Sequence, residues 1–212
     1  MTDSAEVDKH VRTWYAHPAY WGSQNKQPDW PDRVLCDQGA LFDDKDVLNL
    51  GCFYPEDEEA FAHRAHSWTA IDFVPEVIAR CERLRAWPLS VRFEVGDMRE
   101  IPFADETLDV VTDFSSGDHL LKEDWLRVIA EVARVLRPGG HFLVCFANNE
   151  AFINFFGESW RSSPAQLGEY GYVRTDTIEE MAAMLEAAGL RVVRRSHDND
   201  SKLRTGMLAV KP

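Results

Sequence analysis

Asp46-Val47-Leu48-Asn49-Leu50-Gly51-Cys52 leads straight into Phe53-Tyr54-Pro55-Glu56-Asp57-Glu58-Glu59. The first half reads as a short buried strand with Gly51 as its turn. Pro55 opens a helix, because the first helical position has no use for a backbone N–H. The acids behind it complement the positive end of the helix dipole. Strand, glycine turn and helix in that order is where α/β nucleotide-binding folds bring backbone against a ligand. With one glycine rather than three, this stretch alone leaves the ligand open.

Working outward, the same alternation repeats. Ser67 to Asp72 reads as a second strand ending in an acid, and Val74 to Arg85 as a helix with Val77, Ile78, Cys81 and Leu84 on one face. Val91 to Val95 alternates as a third strand, Leu108 to Phe114 forms a fourth, and Trp125 to Leu136 a helix stopped by Pro138-Gly139-Gly140. His141 to Ala147 is apolar enough for a central parallel strand. Thr175-Asp176-Thr177 caps a helix from Ile178 to Ala188, and Leu190–Ser196 and Leu203–Val210 close the chain as an antiparallel hairpin turning at Asp198-Asn199-Asp200. Upstream, Val7, Val11 and Trp14 sit at helical spacing before Pro18, and a second helix is expected from Asp32 to Leu41. The expected fold is α/β: a doubly wound, mostly parallel seven-stranded sheet with a C-terminal antiparallel hairpin. A single domain spans residues 1–212, with 1–42 as an aromatic cap and 148–174 as a long pocket-forming loop.

Bulk properties bound the function. The chain has 212 residues, 45% hydrophobic and 28% charged, as ordinary globular proteins do. A net charge of −13 speaks against a nucleic-acid partner. Cys36, Cys52, Cys81 and Cys145 are far apart, with no CxxC and no Cys/His cluster, so no metal site and no disulfide framework is expected. Met1 to His10 is polar and no apolar run is long enough to span a membrane, which points to a cytoplasmic protein, monomer or homodimer, with a small-molecule partner.

At Asn49-Leu50-Gly51-Cys52-Phe53-Tyr54, Asp72-Phe73-Val74-Pro75, Gly96-Asp97-Met98, Ile101 to Val111 and Leu136-Arg137-Pro138-Gly139-Gly140 the chain resembles the class I S-adenosylmethionine-dependent methyltransferases. The resemblance covers about residues 44–147 by motif. It implies S-adenosyl-L-methionine as cofactor, with Gly51 beside its amino-acid part and Asn49 where that family usually has an acid. Asp72 would take the ribose hydroxyls, and Asp97 and the Met98 N–H the adenine. Cys52, Phe53, Phe73, Asp113, Phe114 and Ser115 complete the lining, and Tyr15 and Trp21 reach in from the cap. Phe53, Tyr54 and Pro55 make a bulkier wall than that family's small residues.

Methyl transfer from a sulfonium is an in-line displacement, so alignment in a dry pocket supplies much of the rate. A hydroxyl or ammonium acceptor must also lose a proton, and His119, after strand four, is the candidate base. Asp118 would orient it or bind a cationic acceptor. Tyr15, Tyr20, Trp21, Phe152, Phe156, Trp160 and Tyr172 are the expected acceptor walls, suited to a small amine or hydroxyl. Two other readings stay open: a nicotinamide-dependent oxidoreductase, for which the Gly51 turn lacks glycines, and a non-catalytic relative that has lost its cofactor.

Overall fold

A computed structural model describes residues 3–16, 37–53, 55–84, 87–88, 90–156, 172–196 and 204–212. The elements in chain order are α1 (Ser4–Ala16), β1 (Asp46–Leu50), α2 (Glu56–Phe61), β2 (Ser67–Asp72), α3 (Pro75–Leu84), β3 (Val91–Val95) and β4 (Leu108–Phe114). Then come α4 (Lys122–Val135), β5 (Leu136–Ala147), α5 (Asn149–Phe156), α6 (Ile178–Ala187), β6 (Arg191–Arg195) and β7 (Arg204–Val210). The strands form one seven-stranded sheet in the order β3-β2-β1-β4-β5-β7-β6. The first five run parallel, and β7 is antiparallel to both β5 and β6.

Side-chain alternation decides which face each residue serves. Val47 and Val110 join Trp68, Val77, Cys81 and Phe93 on the α3 side, while Leu48 and Val111 join Trp125, Ile129, Val132, Met181 and Leu185 on the α4 and α6 side. The central strands are thus buried on both faces, which explains their unbroken apolar runs. The strand order reverses between β1 and β4, and the crevice at the carboxyl ends of those two strands is where open α/β sheets bind ligands.

Several boundaries differ from the sequence reading. Pro138-Gly139-Gly140 does not stop a helix but lies inside β5. Leu136 is already extended and pairs with Leu108, and the next pair is Val110 with His141, so the Pro-Gly-Gly segment is a bulge. The cause is local: Arg137 precedes a proline and is kept from the helical region. Pro55 is the residue before α2 rather than its first, and the expected 32–41 helix is described only as a 3₁₀ turn over Asp37–Phe42. Part of the expected 148–174 loop is helical, because Asn148 accepts from the N–H groups of Glu150 (3.0 Å) and Ala151 (3.3 Å) and so opens α5. At α6, Thr177 and Glu180 form a reciprocal capping box, with bonds of 3.1 and 2.9 Å. The Asp198–Asp200 turn lies outside the described residues, although the strands it joins pair as an antiparallel hairpin.

Candidate active site

Every strand from β1 to β4 delivers a polar group to the carboxyl edge of the sheet. At the end of β1, Asn49 is 2% exposed and its amide both donates and accepts. Its Nδ2 donates to Glu58 Oε1 at 2.7 Å and its Oδ1 accepts from Thr112 Oγ1 at 3.0 Å. Glu58 Oε1 also accepts from Trp68 Nε1 at 3.2 Å. The carboxyl group missing at position 49 is therefore found one layer behind it, on α2. Glu58 points inward, contrary to its expected place among acids facing the helix dipole.

Gly51 has φ +72°, a left-handed conformation that suits glycine. A Cβ there would lie 2.1 Å from Ser116 Oγ, which itself donates to the Gly51 carbonyl at 2.9 Å. The glycine thus makes room for the loop after β4 as well as for any ligand. Met98 reaches the same place, its Cε 3.6 Å from that Cβ position. Cys52 is buried against Cys81, and their contact together with burial pushes its thiol up, which removes it as a nucleophile. The Phe53 carbonyl accepts from Arg80 Nη2, whose guanidinium stands 5.1 Å from the Phe53 ring centre.

Asp72 closes β2, with Oδ1 taking the Val74 N–H at 2.9 Å. Burial pushes its carboxyl up to about 6, against the backbone donors of Val74 and Phe53 and the charges of Arg12 and Arg80. Arg12 donates to the Phe73 carbonyl at 2.8 Å and stacks 4.3 Å over its ring. Asp97, after β3, grips Arg99 at 2.7 Å. Burial pulls Asp97 up, but the side-chain and backbone bonds from Arg99 outweigh it and hold the carboxyl below the usual range. The same guanidinium reaches Asp8 of α1 at 2.7 Å and Asp124 of α4 at 3.4 Å.

At the end of β4, Phe114 packs on the core and Ser115 adopts φ +74°, an uncommon conformation for a residue with a side chain. Asp113 is 1% exposed and accepts from Ser116 N (2.7 Å) and Gly117 N (3.0 Å), tying down the turn that carries His119. Burial, with Asp118 nearby, pushes Asp113 up to about 7. Asp118 Oδ2 takes the Ala147 N–H and Arg204 Nη1, both at 3.0 Å, so this carboxylate clamps β5 to β7 from inside. Burial raises Asp118 to about 6.

His119 Nδ1 lies 2.9 Å from the Tyr172 carbonyl oxygen. A carbonyl only accepts, so Nδ1 carries the proton and Nε2 is the acceptor. The group facing it is the Tyr15 hydroxyl at 2.6 Å, which therefore donates. Burial lowers the imidazole to about 4, against the Tyr172 bond and with the charges of Arg204, Arg174 and His10 adding to the fall. The Tyr15 ring stands edge-on to Phe53 (4.8 Å) and to His119 (5.4 Å), so it spans the mouth between β1 and β4.

Of the expected site residues, Tyr15, Asn49, Gly51, Cys52, Phe53, Asp72, Phe73, Asp97, Met98, Asp113, Phe114, Ser115 and His119 lie along this one edge. Tyr172 is buried there too, beside His119 and α1, and Phe152 is buried within α5. Tyr20, Trp21, Trp160 and the side chain of Phe156 lie outside the described residues. Sequence reading passed over Ser116, Glu58, Arg99 and Arg174. Arg174 fixes the β4 loop through its bonds to the carbonyls of Gly117 (2.6 Å) and Leu120 (3.1 Å). Among the described residues no cluster of His, Cys, Asp and Glu has the makings of a metal site, and no helix is long and apolar enough to cross a membrane.

Sheet order, glycine turn and strand-end acids define the class I methyltransferase architecture. Residues 48–144 match the family described as Methyltransferase domain, and the fold is that of the class I S-adenosylmethionine-dependent methyltransferases. Among relatives, it is 31% identical over 148 residues to a probable S-adenosylmethionine-dependent methyltransferase of Mycolicibacterium smegmatis, covering 70% of this chain and 52% of that one. A fatty-acid O-methyltransferase of the same organism is 29% identical, covering 68% of this chain and 52% of its own length. The chain thus spans about half the length of these relatives. Among solved structures, the N-methyltransferase NodS of Bradyrhizobium japonicum, in complex with S-adenosyl-L-homocysteine, superposes with a TM-score of 0.73 at 18% identity, covering 99% of this chain and 100% of that one. The 1,6-didemethyltoxoflavin-N1-methyltransferase of Burkholderia thailandensis gives 0.72 at 20% identity, covering 100% and 91%.

Proposed function

We propose that the chain is an S-adenosyl-L-methionine-dependent methyltransferase acting on a small organic acceptor through a hydroxyl or amine. The observation that carries this reading is the convergence of Gly51, Asp72 and Asp97 on the carboxyl ends of the adjacent strands β1, β2 and β3, beside the switch point. The donor set fits an adenosyl ligand. Asp72 stands at about 6 because it is buried with few donors, and a ribose diol supplying two hydroxyl bonds relieves that. Asp97 reaches an exocyclic amine by sharing its carboxylate with Arg99. When bound, the cofactor supplies a methyl group on a positively charged sulfur. The chain's part is to align the acceptor behind that methyl, exclude water and handle the acceptor's proton. Residues 1–42 and 148–174 would cover the acceptor, and the charge of −13 favours a small soluble acceptor in the cytoplasm over nucleic acid.

The non-catalytic reading keeps one supporting observation. Ser116 fills the space beside Gly51, and Asp97 is already paired, so the cradle is partly occupied by the chain itself. Calorimetry with S-adenosylmethionine and S-adenosylhomocysteine separates the readings. Saturable binding of both is expected, and Asp72→Asn should weaken it about tenfold, the worth of a bond to a charged group. No heat from either ligand at submillimolar concentration sinks the methyltransferase reading.

A further inference from the structure

The Tyr15–His119 contact joins the N-terminal helix to the loop after β4 across the mouth of the crevice, and its polarity is determined. Because Nδ1 is committed to the Tyr172 carbonyl, the Tyr15 proton points at Nε2. The phenol oxygen then offers only lone pairs to anything else that meets it. A group binding there through that oxygen must bring its own O–H or N–H. His119 does not meet such a group directly on Nε2, which the Tyr15 hydroxyl covers at 2.6 Å.

Resting on the methyltransferase reading above, we propose that Tyr15 is the catalytic residue that binds and deprotonates a neutral hydroxyl acceptor, with His119 as the proton's destination. The step balances as follows. The acceptor oxygen forms a bond to the methyl carbon while the carbon–sulfur bond breaks, and its electron pair returns to sulfur to leave a neutral thioether. The acceptor's proton passes to Tyr15 Oη as the Tyr15 proton passes to His119 Nε2. A methyl ether, a neutral Tyr15 and an imidazolium result, and the imidazolium then gives its proton to solvent.

The geometry bears on the acceptor. The Tyr15 oxygen accepts from an incoming group, so the acceptor must present its own proton there, as a phenolic or enolic hydroxyl does. Burial, with the charges of Arg204, Arg174 and His10 adding to it, lowers the imidazole to about 4. A hydroxyl oxygen becomes strongly acidic as it takes the methyl group, and so gives its proton even to this weak base.

The test has two independent readouts. Nitrogen-15 spectra of the histidine ring in the wild-type protein should show Nδ1 protonated and Nε2 bare but hydrogen-bonded, and Tyr15→Phe should shift Nε2 alone toward a free imine nitrogen. A protonated Nε2, or no response to Tyr15→Phe, overturns the proposal. The second readout uses probe acceptors after S-adenosylhomocysteine binding has been established: 4-methylphenol, 4-nitrophenol, benzylamine and dodecanoate. Wild type should methylate 4-methylphenol, and Tyr15→Phe should lower that rate by about 100-fold at saturating S-adenosylmethionine. With 4-nitrophenol, ionised at pH 8.5, the loss should be under about tenfold because there is no proton to move. Turnover of benzylamine or dodecanoate but not 4-methylphenol overturns the proposal, as does no turnover of any probe by protein that binds the cofactor. Failure to bind S-adenosylhomocysteine at the outset instead removes the methyltransferase reading on which it rests.

Discussion

At residue scale the glycine turn shows what one position can and cannot say. Gly51 was legible because strand, glycine and helix leave few alternatives, and Asp72 and Asp97 because each acid ends a readable strand. What Gly51 accommodates was not legible. Its neighbour Ser116 is 65 positions away, and no local pattern links them. The same holds for Glu58, whose inward turn toward Asn49 depends on the packing of α2 rather than on the acid run around it. The two demands on Gly51 can be separated by a double-mutant cycle in urea. Gly51→Ala meets both a positive φ and a Cβ 2.1 Å from Ser116 Oγ, and should lower stability by about 2–4 kcal/mol. Adding Ser116→Gly should recover the steric share and leave about 1–2 kcal/mol of backbone strain. If Ser116→Gly recovers nothing, the serine is not what the glycine makes room for.

At the scale of elements, α1 is the piece whose position the sequence least foretold. Val7 and Val11 announce a helix with a buried face, and both pack with Tyr172. Where the helix lies is set by three polar ties that helical periodicity does not register. Asp8 meets Arg99 after β3, Arg12 meets the Phe73 carbonyl after β2, and Tyr15 meets His119 after β4. The helix therefore straps across the carboxyl ends of the strands that carry the candidate site. Arg99 is the central tie, because its guanidinium is 17% exposed and also neutralises Asp97 and Asp124. Arg99→Ala leaves three carboxylates facing one another, and half-exposure of Asp97 limits the penalty to about 1–3 kcal/mol. Hydrogen exchange should show the loss as a region: α1 amides lose protection at least about tenfold while those of α4 and β4 keep theirs. Uniform loss of protection would mean that Arg99 supports the whole fold and not the strap.

At the scale of the whole molecule, the sheet concentrates its unfavourable titrations at one edge, and the signs of those titrations give a measurable slope. Burial raises Asp72, Asp113 and Asp118 in the folded protein to about 6, 7 and 6 from the ordinary carboxylate value of 3.8. An acid raised on folding binds more protons folded than unfolded between those values. Its contribution is fully present near pH 4 and is lost as pH rises through the folded value. His119 works the other way. Lowered from 6.5 to about 4, its contribution is present above 6.5 and is lost as pH falls toward 4. His141, lowered by burial and by Lys45, acts in the same direction as His119. Three acids oppose two histidines over the same window, and of the acids Asp113 alone continues to titrate above 6.5. Unfolding free energy should therefore fall from pH 5 to pH 8, on the order of 1 kcal/mol for each pKa unit not offset by the histidines. Asp113→Asn removes the steepest part, so its stability deficit relative to wild type should shrink as pH rises from 5 to 8. Urea titrations at those two pH values decide the point: a deficit that grows with pH would mean that the buried acids of this edge are held ionised by their donors, and that the strand ends are built to carry charge rather than to suppress it.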